Sequence, residues 1–247
     1  MKRMIALVAA LLLVLMLCSG CKAPDAANTS EGKATDDVDA QAIYAPLIDA
    51  YREAIENYDY DSYDLDISFL LIDYYHYSSN TAGYTIYDIN RDGTPELIIG
   101  EQDTDERDKM RPEAIGGIYT LQDGAPKWLL GSVDESSSVS VLKDGRILEW
   151  CVYWGKAIES GSTTNVFEIK DGALSRVKTY FGVNAYNDEK SSMEYTNCYS
   201  TDNALPMDKD GEVLTDEMQP MEPAAFEETV TALEEAKQSL PITPLFE

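Results

Sequence analysis

The chain predicts an α+β fold: N-terminal helices, an antiparallel β-meander of about seven to eight strands, and a C-terminal helix. Three observations predict it. Apolar residues recur at helical spacing after residue 40, four Asp-Gly pairs punctuate a long run of short alternating segments, and a second amphipathic stretch follows Pro223.

Of the 247 residues, the first twenty read as a leader. Lys2 and Arg3 make a positive start, and the apolar run over residues 4–17 is too short to span a bilayer stably, so residues 1–20 are expected to be a cleaved signal peptide. Small Ser19 and Gly20 stand directly before Cys21, and Leu17-Cys18-Ser19-Gly20-Cys21 resembles the lipobox of bacterial lipoproteins. The resemblance implies that Cys21 takes a diacylglyceryl group and palmitate-type acyl chains, becoming the lipid-anchored N-terminus of a cell-membrane protein that faces outside the cytoplasm. The lipobox usually carries Leu where this chain has Cys18; Cys18 itself follows bulky Leu17 and fits the modified position less well. An ordinary secretory signal is the alternative reading. Two or more acyl chains make such an anchor durable. Residues 21–39 hold almost nothing to bury and read as a flexible tether, on the order of 20–25 Å from end to end.

Residues 40–247 are enough for one α+β domain with its own core. Tyr44, Leu47, Ile48, Tyr51 and Ile55 place a helix over roughly residues 40–57, with Pro46 tolerable only near its first turn. Asp61 is suited to cap a second helix in which Leu65, Phe69, Ile72 and His76 share a face, ending at Ser78-Ser79-Asn80. The period then changes. From Tyr84 to Phe181, Asp92-Gly93, Asp123-Gly124, Asp144-Gly145 and Asp171-Gly172 read as hairpin turns between meander strands such as 117–121 with 128–130 and 139–142 with 146–154. Residues 182–221, polar and weakly periodic, read mostly as loop. The last helix starts at Pro223, buries Phe226, Val230, Leu233 and Leu240, and stops at Pro241.

With 19 basic and 45 acidic residues the formal net charge is −26, and losing Lys2 and Arg3 with the leader takes it to −28. Such a surface argues against nucleic acid and anionic lipid headgroups as partners, since both reward clustered Lys and Arg. It suits cations, although solubility alone accounts for most of the excess.

The most specific stretch is Tyr87-Asp88-Ile89-Asn90-Arg91-Asp92-Gly93-Thr94-Pro95-Glu96-Leu97-Ile98-Ile99. Asp88, Asn90 and Asp92 are spaced by two, Gly93 permits a sharp turn, and Glu96 returns a carboxylate. Calcium takes six to eight oxygens, and a loop wrapped around it offers its first, third and fifth side chains, the seventh carbonyl (Thr94) and the ninth position (Glu96). An EF-hand would also need a Glu at position twelve, where Ile99 stands, and flanking helices where this sequence has strands. The pattern resembles the strand-loop-strand calcium sites of FG-GAP and integrin-type repeats. It also resembles the D-x-N-x-DG-x-PELIIG segment of many uncharacterised bacterial lipoproteins, over residues 84–100. That resemblance implies a structural Ca²⁺ and no particular activity. The same residues also build metal-free Asx turns, so both readings stand. The shorter echo at Asp208-Lys209-Asp210-Gly211-Glu212 reads as a turn.

Catalytic signatures are sparse. His76, the one histidine, is in phase with an apolar helix face, and Ser140-Val141-Leu142-Lys143 and Ser175-Arg176-Val177-Lys178 match S-x-x-K only within strands, where residues three apart face opposite ways. Trp150 and Trp154 share one strand face, a candidate ligand-stacking surface or ordinary core. Cys151 and Cys198 are candidates for a disulfide, which an exported location permits. The expectation is a lipid-anchored, calcium-stabilised extracytoplasmic domain without catalytic activity. It would hold the membrane through Cys21 and bind a cell-envelope component or a protein. The alternative is a cell-surface hydrolase using a pair of acidic residues.

Overall fold

In the computed structural model, which describes residues 39–58, 81–132, 136–153, 161–187 and 192–246, the chain enters helix α1 (Ala40–Asn57) through an Asp39 cap. The Asp39 carboxylate accepts from the Ala42 N–H at 3.1 Å, satisfying one of the donors a helix start leaves over. Tyr58 ends the helix in the left-handed region, its N–H bonded to the Ala54 carbonyl. Tyr44, Leu47, Ile48, Tyr51, Ala54 and Ile55 form the buried face. Pro46 sits well inside the helix, where it forgoes a backbone bond that the packing of this face offsets.

Eleven strands follow: β1 (Ala82–Tyr87), β2 (Glu96–Gln102), β3 (Met110–Gln122), β4 (Ala125–Leu130), β5 (Ser137–Val141), β6 (Ile147–Tyr153), β7 (Gly161–Lys170), β8 (Ala173–Asn187), β9 (Ser192–Thr201), β10 (Gln219–Met221) and β11 (Thr243–Pro244), with helix α2 (Pro223–Glu235) before the last. They form one mixed sheet in the order β10-β9-β8-β7-β6-β5-β3-β2-β1-β11, with β4 branching from β3. The long strand β3 explains the branch. One of its edges pairs with β2 along the length; the other pairs with β4 at residues 118–122 and then, in parallel, with β5 at Ala114 and Val139.

The branch lets the sheet double back on itself. Leu97, Ile99 and Tyr119 on one face of β2 and β3 share a core with α1. Ile98, Ile115 and Ile118 on the opposite face share a second core with Val139, Val141, Ile147, Phe167 and Ile169 of β5 to β7. On the outer face of those strands, Leu148 and Val166 join Leu233 of α2 in a third. The order of layers is therefore helix, sheet half, sheet half, helix, each buried by its neighbours.

This architecture corrects the expected α+β meander of seven or eight strands. The sheet has eleven strands and a parallel pair, and α1 and α2 are the α-helices among the described residues. The stretch 182–221, expected as loop, supplies the end of β8, all of β9, a 3-10 turn at Thr215–Glu217, and β10. Its strands escape the period-two test because polar side chains are buried on them: Ser200 and Thr201 are covered, while Tyr195 lies edge-on to Phe226 at 4.7 Å. Helix α2 stops short of the expected Leu240. The Ala236 carbonyl accepts from the Lys143 N–H, and the Gln238 N–H donates to the Val141 carbonyl, so the chain leaves the helix to extend the end of β5. The leader, the tether up to Val38, the second helix expected from Asp61, His76 and Trp154 lie outside the described residues. Among the described residues no helix is long and apolar enough to cross a membrane.

Gly131 is where β4 leaves the β3 edge. A Cβ there would stand 2.2 Å from the Gly116 carbonyl oxygen and 2.4 Å from the Trp128 ring. Backbone cannot yield as a side-chain tip can, so Gly131→Ala is expected to destabilise the protein by about 1–3 kcal/mol, the range of overpacked cores. Equilibrium urea unfolding checks it; an unchanged midpoint would mean that β4 does not need this close approach.

Candidate functional site

The loop over residues 88–95 joins β1 to β2, whose first pair is Tyr87 with Glu96, so the acidic motif is flanked by strands on both sides. Its side chains fold over its own backbone. The Asp88 carboxylate accepts from the Asp92 N–H at 3.1 Å and the Gly93 N–H at 2.9 Å; Asn90 Oδ1 accepts from the Asp92 N–H at 3.2 Å; Asp92 Oδ1 accepts from the Thr94 N–H at 2.8 Å. Arg91 (φ 62°) and Gly93 (φ 93°) take left-handed conformations that make this curl possible. Asn90 also reaches outward, its Nδ2 donating to Asp92 Oδ2 at 2.8 Å and to the Ile169 carbonyl at 3.1 Å.

Glu96 turns the other way. It is fully buried, its Oε2 accepting from the Ile89 N–H at 2.9 Å and its Oε1 from the Thr120 hydroxyl at 3.3 Å. Burial, reinforced by the charges of Asp92 and Asp88 and opposed by the two hydrogen bonds, pushes its carboxyl up to about 7. Tyr44 of α1 stands behind the same corner, its hydroxyl 3.1 Å from the Pro95 carbonyl and 3.2 Å from that of Tyr119. Burial, and then the Glu96 charge, raise that phenol above its usual range.

Asp88, Asn90, Asp92 and Thr94 therefore share one turn at the surface, whereas Glu96 sits beneath it. Among the described residues no three Asp, Glu, His or Cys side chains converge as a metal-holding group. The donor set still has the chemistry calcium takes: two carboxylates, an amide oxygen and a backbone carbonyl, with Asp92 exposed and Asp88, Asn90 and Thr94 half-buried. So few charges suit a weak site, with a dissociation constant on the order of 10⁻⁴–10⁻³ M.

The other candidates separate. Trp150 lies half-buried on β6, opposite Ser138 and Thr164, on the face that carries Leu148. Cys151 and Cys198 do not form the candidate bridge. Cys151 pairs with Thr163 on β7, Thr163 with Phe181 on β8, and Phe181 with Tyr199 on β9, so three strand spacings intervene, about 14 Å. A disulfide needs Cα atoms within roughly 7 Å. Cys198 is buried beside Glu227, and burial first, then that charge, push its thiol up to about 11. Neither S-x-x-K match brings its lysine to its serine: the Lys143 ammonium bonds the Glu235 carbonyl, and Lys178 pairs with Asp202 at 2.7 Å. Asp208 Oδ1 accepts from the Asp210 and Glu212 N–H groups, making the second acidic segment a turn.

One constellation had little sequence signal. Asn165 donates to Glu149 at 2.8 Å, its own oxygen accepts from Arg176 and Thr179, and the Arg176 guanidinium lies 4.6 Å from the Phe167 ring centre. These residues satisfy one another across β6, β7 and β8, and the run Ser162-Thr163-Thr164-Asn165 was the only hint of a polar strand interior. No family model matches the chain, and the comparisons with curated proteins and with solved structures returned no match either.

Glu96 supplies a pH test. Its carboxyl rests near 4.5 in the unfolded chain and about 7 in the fold, so the folded state keeps the proton longer. Stability from this group is full below about pH 4.5 and is lost as pH rises through 7, a cost of about 3 kcal/mol at pH 8 in chelator. Glu96→Gln removes the charge while its oxygen keeps the Ile89 N–H and its amide N–H turns to donate to the Thr120 hydroxyl, so in chelator it should flatten the decline between pH 5 and 7.5 and melt above wild type at pH 8. Parallel melting curves at both pH values would count against a buried charge.

Proposed function

We propose that the protein is a lipid-anchored, calcium-stabilised extracytoplasmic domain that binds a cell-envelope component or another protein and has no catalytic activity of its own. The observation that carries the calcium half is the curl of residues 88–95, in which Asp88, Asn90 and Asp92 gather their side chains over one turn between paired strands. The resemblance to strand-loop-strand calcium sites and to the lipoprotein PELIIG segment points the same way. Support for the anchor comes from Lys2, Arg3, the apolar run and Cys21. The non-catalytic half is supported by Glu96: it has the raised proton affinity of an acid catalyst, yet it is sealed from solvent and from any substrate. An acidic surface directs the search for partners towards neutral or basic ones.

Thermal unfolding of the full-length protein in detergent, with calcium and with chelator, tests the metal. At about a hundred times the dissociation constant, calcium binding adds about 2.7 kcal/mol, a rise of several degrees in Tm. Asp92→Ala should abolish that rise. Identical wild-type curves with and without calcium would leave a metal-free Asx turn. For the anchor, Cys21→Ser is expected to move the protein from the membrane pellet to the soluble fraction; a variant that stays with the membrane would refute lipidation at this cysteine.

A further inference from the structure

The 88–95 loop belongs to β1 and β2, but its contacts reach the other half of the sheet. Ile89 is 2% exposed and lies in the core that Ile98 and Ile118 share with Val141, Ile147, Phe167 and Ile169. The Asn90 amide donates to the Ile169 carbonyl near the end of β7. Gly145, at the tip of the β5–β6 hairpin, is so close that a Cβ there would stand 2.6 Å from the Ile89 carbonyl oxygen. Among the described residues the strand ladders join the two halves at β3 and β5. The loop is thus a further junction, made of side chains and close backbone approach.

We propose that this loop is a clasp between the two sheet halves, that Asn90 is its latch, and that cation binding at the loop strengthens the closure. The last part rests on the calcium reading above. Asn90 occupies the one ligand position of the first three that carries no charge, and adding a carboxylate there would ordinarily tighten calcium binding. Its hydrogen bonds argue the reverse. Both Nδ2 hydrogens are used, one on the Ile169 carbonyl and one on Asp92 Oδ2, while Oδ1 accepts from the Asp92 N–H. An aspartate has no hydrogen to offer, so it would set a negative oxygen against both acceptors. Asn90 is therefore a positioning residue: it gives up charge to hold the loop on β7.

The test uses the full-length protein in detergent. In chelator, Asn90→Asp and Asn90→Ala should each melt several degrees below wild type, because both lose the bond to Ile169. An Asn90→Ala variant that melts like wild type would overturn the latch and assign any loss in Asn90→Asp to repulsion from Asp92. In calorimetric titration Asn90→Asp should bind calcium several-fold more weakly than wild type; tighter binding would also overturn the latch. Hydrogen exchange on the wild type needs no variant. Calcium should slow exchange at residues 141–147 and 167–172 as well as at 88–96, and protection confined to 88–96 would overturn the coupling. If calcium changes nothing in wild type, the metal reading fails, and the melting of Asn90→Ala in chelator alone decides the latch.

Discussion

The double coverage of β2 and β3 is the constraint on which the rest of the structure depends. Leu97, Ile98 and Ile99 are successive residues and all are fully buried, so β2 must have a hydrophobic layer on each face. Helix α1 supplies one layer through Leu47, Ile48, Tyr51 and Ile55. The other has to come from the chain itself, and β5 to β7 supply it by folding back across the sheet. That return is possible because β3 gives one edge to two partners in turn, with β4 peeling off at Gly131 before β5 takes up the pairing. Once β6 and β7 are inside the molecule, their outer face needs a cover as well, and α2 provides it through Leu233.

The same folding back determines the electrostatics of the loop. Glu96 is the residue at which the loop becomes β2, and its side chain is carried under the loop as the strand enters the buried layer. A carboxylate there is costly even with two hydrogen bonds, and Asp88 and Asp92 above it add to the cost. Two conditions relieve it, a proton on Glu96 or a cation on the loop. The Asx hydrogen bonds within the loop do not neutralise charge; they only orient the oxygens. A cation at the surface position would act on all three carboxylates together, which ties its binding to the stability of β2 as well as to the turn.

Local chemistry was legible in the sequence and long-range pairing was not. The hairpins at Asp123-Gly124 and Asp171-Gly172 have both residues at positive φ, the primed-turn signature, and Gly145 alone is positive at the Asp144-Gly145 turn. Helix α1 follows its apolar period from end to end, and Pro223 starts α2 as expected. The parallel pairing of β3 with β5 leaves no mark in either strand, because it depends on where β4 ends and not on any residue pattern. β9 was obscured for a different reason. Ser200 and Thr201 there are buried, so residues that look like loop are interior. At the site, the motif showed which side chains gather over the turn, but neither the burial of Glu96 nor the reach of Asn90 to Ile169 follows from spacing.

The loop is gripped on its backbone side from three directions. The Tyr44 hydroxyl holds the Pro95 carbonyl from the α1 side, the Ile89 side chain fills the core between the sheet halves, and Glu96 fastens the Ile89 N–H from below. The Asp88, Asn90 and Asp92 oxygens accept from the turn's own N–H groups and lie on its partly exposed side. A flexible acidic turn would lose ordering entropy each time it bound an ion; a turn already held at its backbone would lose less, which favours the calcium reading proposed above. The side chains that hold the loop come from α1, β2 and the inter-sheet core, and these are the parts that double burial of β2 requires in any case. The candidate site is therefore a consequence of how the sheet folds back, placed where its two halves meet.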